Sequence, residues 1–93
     1  MDMMDLLGKE VVDTNGSAIG ILKNVIFDEK LWQILSFEVQ LDVEVAKEFQ
    51  LKKLFQNPII LLESTYVQQV DEKITLKTGK DELMTSLAPP SAS

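Results

Sequence analysis

Alternation of apolar and polar side chains in residues 35–41 is the feature that most constrains how this chain can fold. One side of an extended segment here carries only apolar side chains: Leu35, Phe37, Val39 and Leu41. The other side carries the polar side chains of Ser36, Glu38 and Gln40. A period of two is typical of a strand with one face in the core. The pattern therefore predicts a half-buried strand over residues 32–41.

A second alternating segment, residues 18–27, precedes this strand and predicts the other half of a sheet. Its apolar face carries Ile19, Ile21, Val25 and Phe27. Asn15-Gly16 lies just before it, and both residues tolerate the positive φ angles of tight hairpin turns. We expect a hairpin there, and a core that contains Ile21, Val25, Phe27, Leu35, Phe37 and Val39.

The rest of the chain predicts short elements. Residues 42–55 have apolar side chains at helical spacing, and residues 59–62 form an apolar run that predicts a buried strand. Residues 66–70 and 74–76 predict two more strands. Thr78, with Asp81 three residues later, predicts the start of a short helix that runs through Leu87. These elements predict a mainly β domain over residues 1–87, a small antiparallel barrel of about six strands, and a disordered tail over residues 88–93.

Composition argues against several classes of function. The 93 residues include no cysteine and no histidine, which excludes a disulfide framework and a Cys/His metal site. The four glycines form no phosphate-binding motif, and adjacent acidic pairs such as Asp71-Glu72 lie in predicted turns. We therefore expect no catalytic residue, no cofactor and no metal ion, and we expect that the chain is not an enzyme.

The charge distribution points to protein partners. The net charge is −6, and the basic residues are all lysine. Nucleic-acid and anionic lipid surfaces attract clustered cations, so binding to either is disfavoured. No apolar run reaches the ~20 residues that span a bilayer, and the first residues are acidic, so we expect a cytoplasmic protein without membrane insertion.

Four apolar residues fall on the face opposite the predicted core and are candidates for binding another protein: Leu22, Ile26, Trp32 and Ile34. Sequential strands usually pair, so these side chains are expected to form one patch. Two alternatives remain open at this point. The C-terminal helix could cover the patch, or a partner could cover it, most simply a second copy in a homodimer.

The run from Gly8 to Asp28 (GKEVVDTNGSAIGILKNVIFD) resembles the opening of a PRC-barrel domain, with its glycine-lysine start, its Asp13 to Gly16 turn and its Ile19-Gly20 pair. Residues 62–76 resemble the closing strands of that family. The resemblance extends over roughly residues 6–87, and its motifs are structural. It implies a non-catalytic β-barrel adaptor.

Short, acidic, stand-alone chains of this kind are similar to archaeal PRC-barrel proteins of the cell-division machinery. That similarity implies an adaptor between a SepF-type membrane anchor, or a related PRC-barrel protein, and the FtsZ ring at the division site. The alternative is a ribosome-maturation factor that binds ribosomal protein and RNA. The absence of arginine and the negative net charge count against this alternative.

Overall fold

The computed structural model describes residues 3–49 and 58–87, and in these ranges the chain forms one mixed sheet with three short helices. The strands are β1 Glu10–Val12, β2 Ala18–Asp28, β3 Gln33–Leu41, β4 Ile59–Glu63, β5 Val67–Val70 and β6 Ile74–Leu76. The helices are α1 Met3–Leu6, α2 Val43–Glu48 and α3 Lys80–Leu87, and a 3-10 turn covers Ser64–Tyr66. The prediction of a mainly β domain with about six strands and a short C-terminal helix is confirmed.

The strand order in the sheet is β4-β3-β2-β1-β6-β5. Neighbouring strands are antiparallel, except that β1 and β6 are parallel. The sheet is therefore mixed. The sequence predicted a wholly antiparallel arrangement, which is wrong for this one pair of strands. Within the described ranges β4 and β5 do not pair with each other, so the sheet has two edges and curls without closing.

One apolar cluster forms the core, and both strands and helices contribute side chains to it. Strands β2 and β3 supply Ile19, Leu22, Phe37, Val39 and Leu41. Helix α2 adds Val45 and Ala46, and α3 adds Leu83, which is fully buried. The predicted inward positions of Phe37, Val39 and Leu41 are correct, because each is at most 6% exposed.

Two other predicted core positions, Leu35 and Ile21, are wrong, whereas Val25 packs against the core. Leu35 is 46% exposed and Ile21 is 42% exposed, whereas Val25 and Phe27 are half-buried. Leu22, which was predicted to face outward, is 1% exposed. The alternation of side chains does not run unbroken along either strand.

Two β-bulges explain these differences. The pairs on either side of Lys23 are Leu22–Val39 and Asn24–Glu38, so Lys23 is an extra residue in β2. Because an extra residue shifts the alternation by one, Leu22 and Val25 both face the core although they are three residues apart. A second shift lies in β3, where Leu35 is the extra residue between Ser36 and Ile34. A bulged side chain is turned out of the ladder, which accounts for its exposure.

Gly20 of β2 lies beside Gln40 and Leu41 of β3, at a position that requires glycine. A Cβ atom built on Gly20 would lie 2.1 Å from the carbonyl oxygen of Gln40, in the backbone of the neighbouring strand. No side chain could occupy that space without moving β3. The glycine therefore permits the close approach of β2 and β3 at this point.

Some predictions concern residues outside the described ranges. These are the second half of the predicted helical segment, residues 50–57, and the predicted tail, residues 88–93. The first half of that helical segment is confirmed by α2.

Candidate protein-binding surface

The turn between β1 and β2 is held together by one buried aspartate. The N–H of Gly16 donates to the carbonyl of Asp13 at 3.0 Å, and Gly16 has a φ of +85°. Asn15 does not have a positive φ, so the turn is a type I turn closed by a bulge glycine. The Oδ1 atom of Asp13 accepts from the N–H groups of Asn15 and Ser17, both at 2.8 Å.

Asp13 also joins this turn to the C-terminal helix. Its Oδ2 atom accepts from the N–H of Lys80, the first residue of α3, at 2.8 Å. The sequence predicted that Thr78 would cap this helix. That prediction is wrong, because the Thr78 hydroxyl is buried and finds no partner among the described residues. A carboxylate from the other end of the chain satisfies the helix N-terminus instead.

The hydrogen bonds decide the ionisation of Asp13. Burial raises the pKa of this carboxyl, but the N–H donors of Ser17, Lys80 and Asn15, together with the Lys80 charge, outweigh burial and hold the pKa below its usual value. Asp13 is only 1% exposed, so its charge is stabilised by these donors and not by water.

A second polar contact ties α3 to α2. The Lys80 ammonium donates to the Glu48 carboxylate at 2.9 Å, and this hydrogen bond raises the pKa of Lys80. Asp13 and Lys80, with neighbouring polar residues, line a cavity of about 330 Å³. Because both groups already have protein partners, this cavity is explained by the fold and is not a candidate binding site.

The turn between β2 and β3 is organised differently. Asp28 Oδ1 accepts from the N–H groups of Lys30 and Leu31, at 2.8 and 3.3 Å, and all these contacts stay within the turn. Trp32 follows with a φ of +53°, a left-handed conformation that a bulky residue adopts at a cost of about 1 kcal/mol. The Trp32 ring meets the Phe27 ring edge-on, with centroids 5.8 Å apart.

This turn presents the largest apolar side chain of the protein to solvent. Trp32 is 80% exposed, and Leu31 beside it is 60% exposed. We call these two residues, with Phe27 beneath them, the β2–β3 tip. Strained backbone and an exposed tryptophan on a short turn are features that proteins retain for binding more often than for stability.

The structure does not bring the four sequence candidates together in one patch. Leu22 lies in the core, so its predicted outward position is wrong. Ile34 is half-buried against the core cluster, and Ile26 is half-buried on β2. Only Trp32 is widely exposed, because it lies in the turn and not on β3. Helix α3 does not cover it, since the buried Leu83 of that helix packs into the core.

Sequence reasoning missed two exposed apolar residues on β4. Ile59 and Leu61 are 55% and 59% exposed, whereas Ile60 and Leu62 between them are buried. The run of four apolar residues predicted a buried strand. The strand is confirmed, but only Ile60 and Leu62 are buried, because the other face of β4 is open to solvent. Leu61 also lines a groove of about 450 Å³ with Ile34, Leu35 and Glu63.

Across residues 3–49 and 58–87, no three acidic side chains gather where they could hold a metal ion. No helix in that part of the chain has the length and apolar character needed to span a bilayer.

Comparison with known proteins identifies the architecture. The family model of the PRC-barrel domain matches residues 1–83, which include every strand of the sheet. No curated protein sequence matches the chain significantly.

A solved structure from Pseudomonas aeruginosa, named as a 16S ribosomal RNA processing protein, RimM, is similar with a TM-score of 0.56 and 13% sequence identity. The similarity covers 87% of this chain and 45% of that protein, so this chain spans less than half of its length. At this identity the likeness concerns the fold alone.

Proposed function

Because the chain belongs to the PRC-barrel domain family, we propose that it is a non-catalytic adaptor that binds another protein through the β2–β3 tip. The single observation that carries this proposal is the 80% exposure of Trp32 in a left-handed backbone conformation. The residue contributes little to the core, and its conformation is unfavourable, so a role outside the fold gives a reason for its presence.

The chemistry of the tip favours a protein as the partner. Tryptophan and leucine side chains gain free energy when an apolar surface covers them, and tryptophan is enriched at the centres of protein interfaces. The acidic residues Asp28 and Glu29 adjoin the tip. They would repel nucleic acid and anionic lipid, but at the rim of a protein interface they are easily accommodated.

The more specific assignment follows from the resemblance to archaeal PRC-barrel proteins. The chain would act as a homodimer that links a SepF-type membrane anchor, or a related PRC-barrel protein, to the FtsZ ring. It would reside in the cytoplasm and be recruited to the division site. The small size and the protein-binding tip are consistent with such a link.

A ribosome-maturation role is the second candidate, and the fold it shares with a protein named as RimM favours it. The net charge of −6 and the absence of arginine oppose direct RNA binding. In this role the tip would bind a ribosomal protein.

The deciding experiment compares these partners directly. The purified chain is titrated by calorimetry with the SepF-type protein and FtsZ of the same organism, and cosedimentation with small ribosomal subunits is measured in parallel. We expect binding to a division protein that is lost with Trp32→Ala and retained with Met4→Ala, a control whose side chain is 75% exposed elsewhere. Cosedimentation with ribosomal subunits alone would support the second candidate, and binding to neither would refute both.

A further inference from the structure

The two edges of the sheet differ in how they are protected from pairing with another strand. At one edge, β5 has the sequence Val-Gln-Gln-Val, and its register with β6 is interrupted between Val67 and Gln69. A short, bulged strand with polar side chains is a common protection against unwanted pairing. At the other edge, β4 has four consecutive apolar residues, and its register with β3 is regular from Ile59 to Glu63.

The hydrogen bonds of β4 define which backbone groups are available. The N–H of Leu41 donates to the carbonyl of Pro58 at 2.9 Å, just before β4 begins. In an antiparallel pair, alternate residues bond to the neighbouring strand. Ile60 and Leu62 therefore bond to β3, whereas Ile59, Leu61 and Glu63 direct their N–H and carbonyl groups away from it.

The same three residues carry the outward-facing side chains, so the open edge presents backbone and apolar groups together. Ile59 and Leu61 are more than half exposed, and no described strand pairs with them. A strand added here would satisfy the free backbone groups and cover both side chains. This combination is what strand addition at a sheet edge requires.

From this edge we infer that β4 pairs with β4 of a second copy of this chain, in antiparallel register, with Leu61 opposite Leu61 of the second copy. In this register Ile59 meets Glu63 of the other copy, and Leu61 contacts its own counterpart across a twofold axis. The residues that pair are those whose backbone groups point outward, so every pair forms ladder hydrogen bonds. Two curled sheets thus join into one continuous sheet.

Charge decides the direction in which two copies of β4 can pair. In the antiparallel arrangement the two Glu63 carboxylates lie at opposite ends of the new pair, about 13 Å apart along the strands. That distance exceeds the screening length of about 8 Å at physiological ionic strength. A parallel arrangement would place the two carboxylates side by side. The strand is therefore compatible with its own copy only when the two run in opposite directions.

The groove beside Leu61 adds a further contact. It is lined by Ile34, Leu35, Leu61 and Glu63 on the outward face, next to the position that Ile59 of the second copy would occupy. This interface rests on the homodimer of the proposed function, but it lies on β4 and not on the β2–β3 tip, so loss of the dimer and loss of partner binding at the tip are separate results.

A charge-swap experiment tests the register. Leu61→Lys and Leu61→Glu each place like charges opposite each other in the homodimer, and we expect each to raise the dimer dissociation constant at least about tenfold. Mixing the two variants places lysine opposite glutamate and is expected to restore the dimer. Sedimentation equilibrium measures the mass of each sample at high micromolar concentration. Ile21→Lys, an exposed position on β2 away from the edge, is the matched control and is expected to dimerise like the wild type.

Each outcome is decisive. A monomeric wild type overturns the inference, and so does a wild-type dimer that survives both substitutions. If both variants are monomeric and their mixture stays monomeric, Leu61 does not meet its own copy and the register is wrong. Circular dichroism of each variant establishes that loss of the dimer is not loss of the fold.

Discussion

The two turns at either end of β2 both begin with an aspartate but have opposite roles. In each, one aspartate oxygen accepts two backbone N–H groups of its own turn: Asp13 in the first, Asp28 in the second. Asp13 is also bonded to the N-terminus of α3 and is almost wholly buried, whereas the contacts of Asp28 are local. The first turn is thereby part of the tertiary structure. The second extends into solvent with Trp32 at its end.

The largest loss in the free energy of unfolding is expected for a core residue, and this loss is the reference for variants of the two turns. Phe37→Ala should lower the free energy of unfolding by about 3–5 kcal/mol, because Phe37 is 6% exposed and its removal leaves a cavity. Leu35→Ala is the matched control, since the sequence assigned both residues to the core but only Phe37 is there. We expect a loss below about 1 kcal/mol for Leu35→Ala in denaturant titrations. Equal losses would mean that the bulge at Leu35 is wrongly placed.

The first turn should be more sensitive than the second to loss of its aspartate. Asp13→Ala is expected to lower the free energy of unfolding by about 2–4 kcal/mol, because three N–H groups lose their acceptor at a buried site. Asp28→Ala removes only exposed contacts and is expected to cost about 1 kcal/mol or less. Thermal and denaturant melts of both variants test this difference. Similar losses would show that the bond to α3 adds nothing.

Acid should weaken the first turn by protonating Asp13. The pKa of Asp13 is lowered in the folded state, so its contribution is fully present above the unfolded value of about 3.9 and is lost as the pH falls through the folded value. We expect the wild type to lose more stability than Asp13→Asn between pH 5 and pH 2. The measurement is the urea midpoint of both proteins across that range. Parallel pH curves would contradict the assignment of this carboxylate as the acid-sensitive group.

The smallest effect on stability is expected at the tip of the second turn. Trp32→Gly relieves a left-handed backbone cost of about 1 kcal/mol and removes an aromatic pair worth about 0.5–1.5 kcal/mol, so the two changes nearly cancel. The melting temperature should stay almost constant while partner binding falls strongly. A large loss of stability would mean that Trp32 is needed for the fold, and its exposure would then no longer support the proposed binding role.

The regions that could be predicted from the sequence are those where local pattern and tertiary packing agree. The inward positions of Phe37, Val39 and Leu41 followed from a period of two that no bulge interrupts. The C-terminal helix followed from Thr78 and Asp81 at its start, although Asp13 and not Thr78 caps it. Leu22 was misplaced because the bulge at Lys23 leaves no local signal; an extra residue in a strand is recognisable only against its partner strand.

The residues considered for binding another protein show the same difference between what the local sequence pattern reveals and what only tertiary packing reveals. Trp32 was found because it fell on the outward side of the predicted strand over residues 32–41, although it lies in the turn before β3. Ile59 and Leu61 were missed because the run of four apolar residues is the same whether a strand is central or at an edge.

The sequence by itself determined that this chain is a small, mainly β, acidic domain without cysteine or histidine, and which of its segments are strands. Only the tertiary structure decided the parallel pairing of β1 with β6, the open edge at β4 and the capping of α3 by Asp13. Strand identity depends on neighbouring residues, whose alternation is visible along the chain. Pairing, exposure and capping depend on groups as far apart as Asp13 and Lys80, and only folding brings them within hydrogen-bond distance.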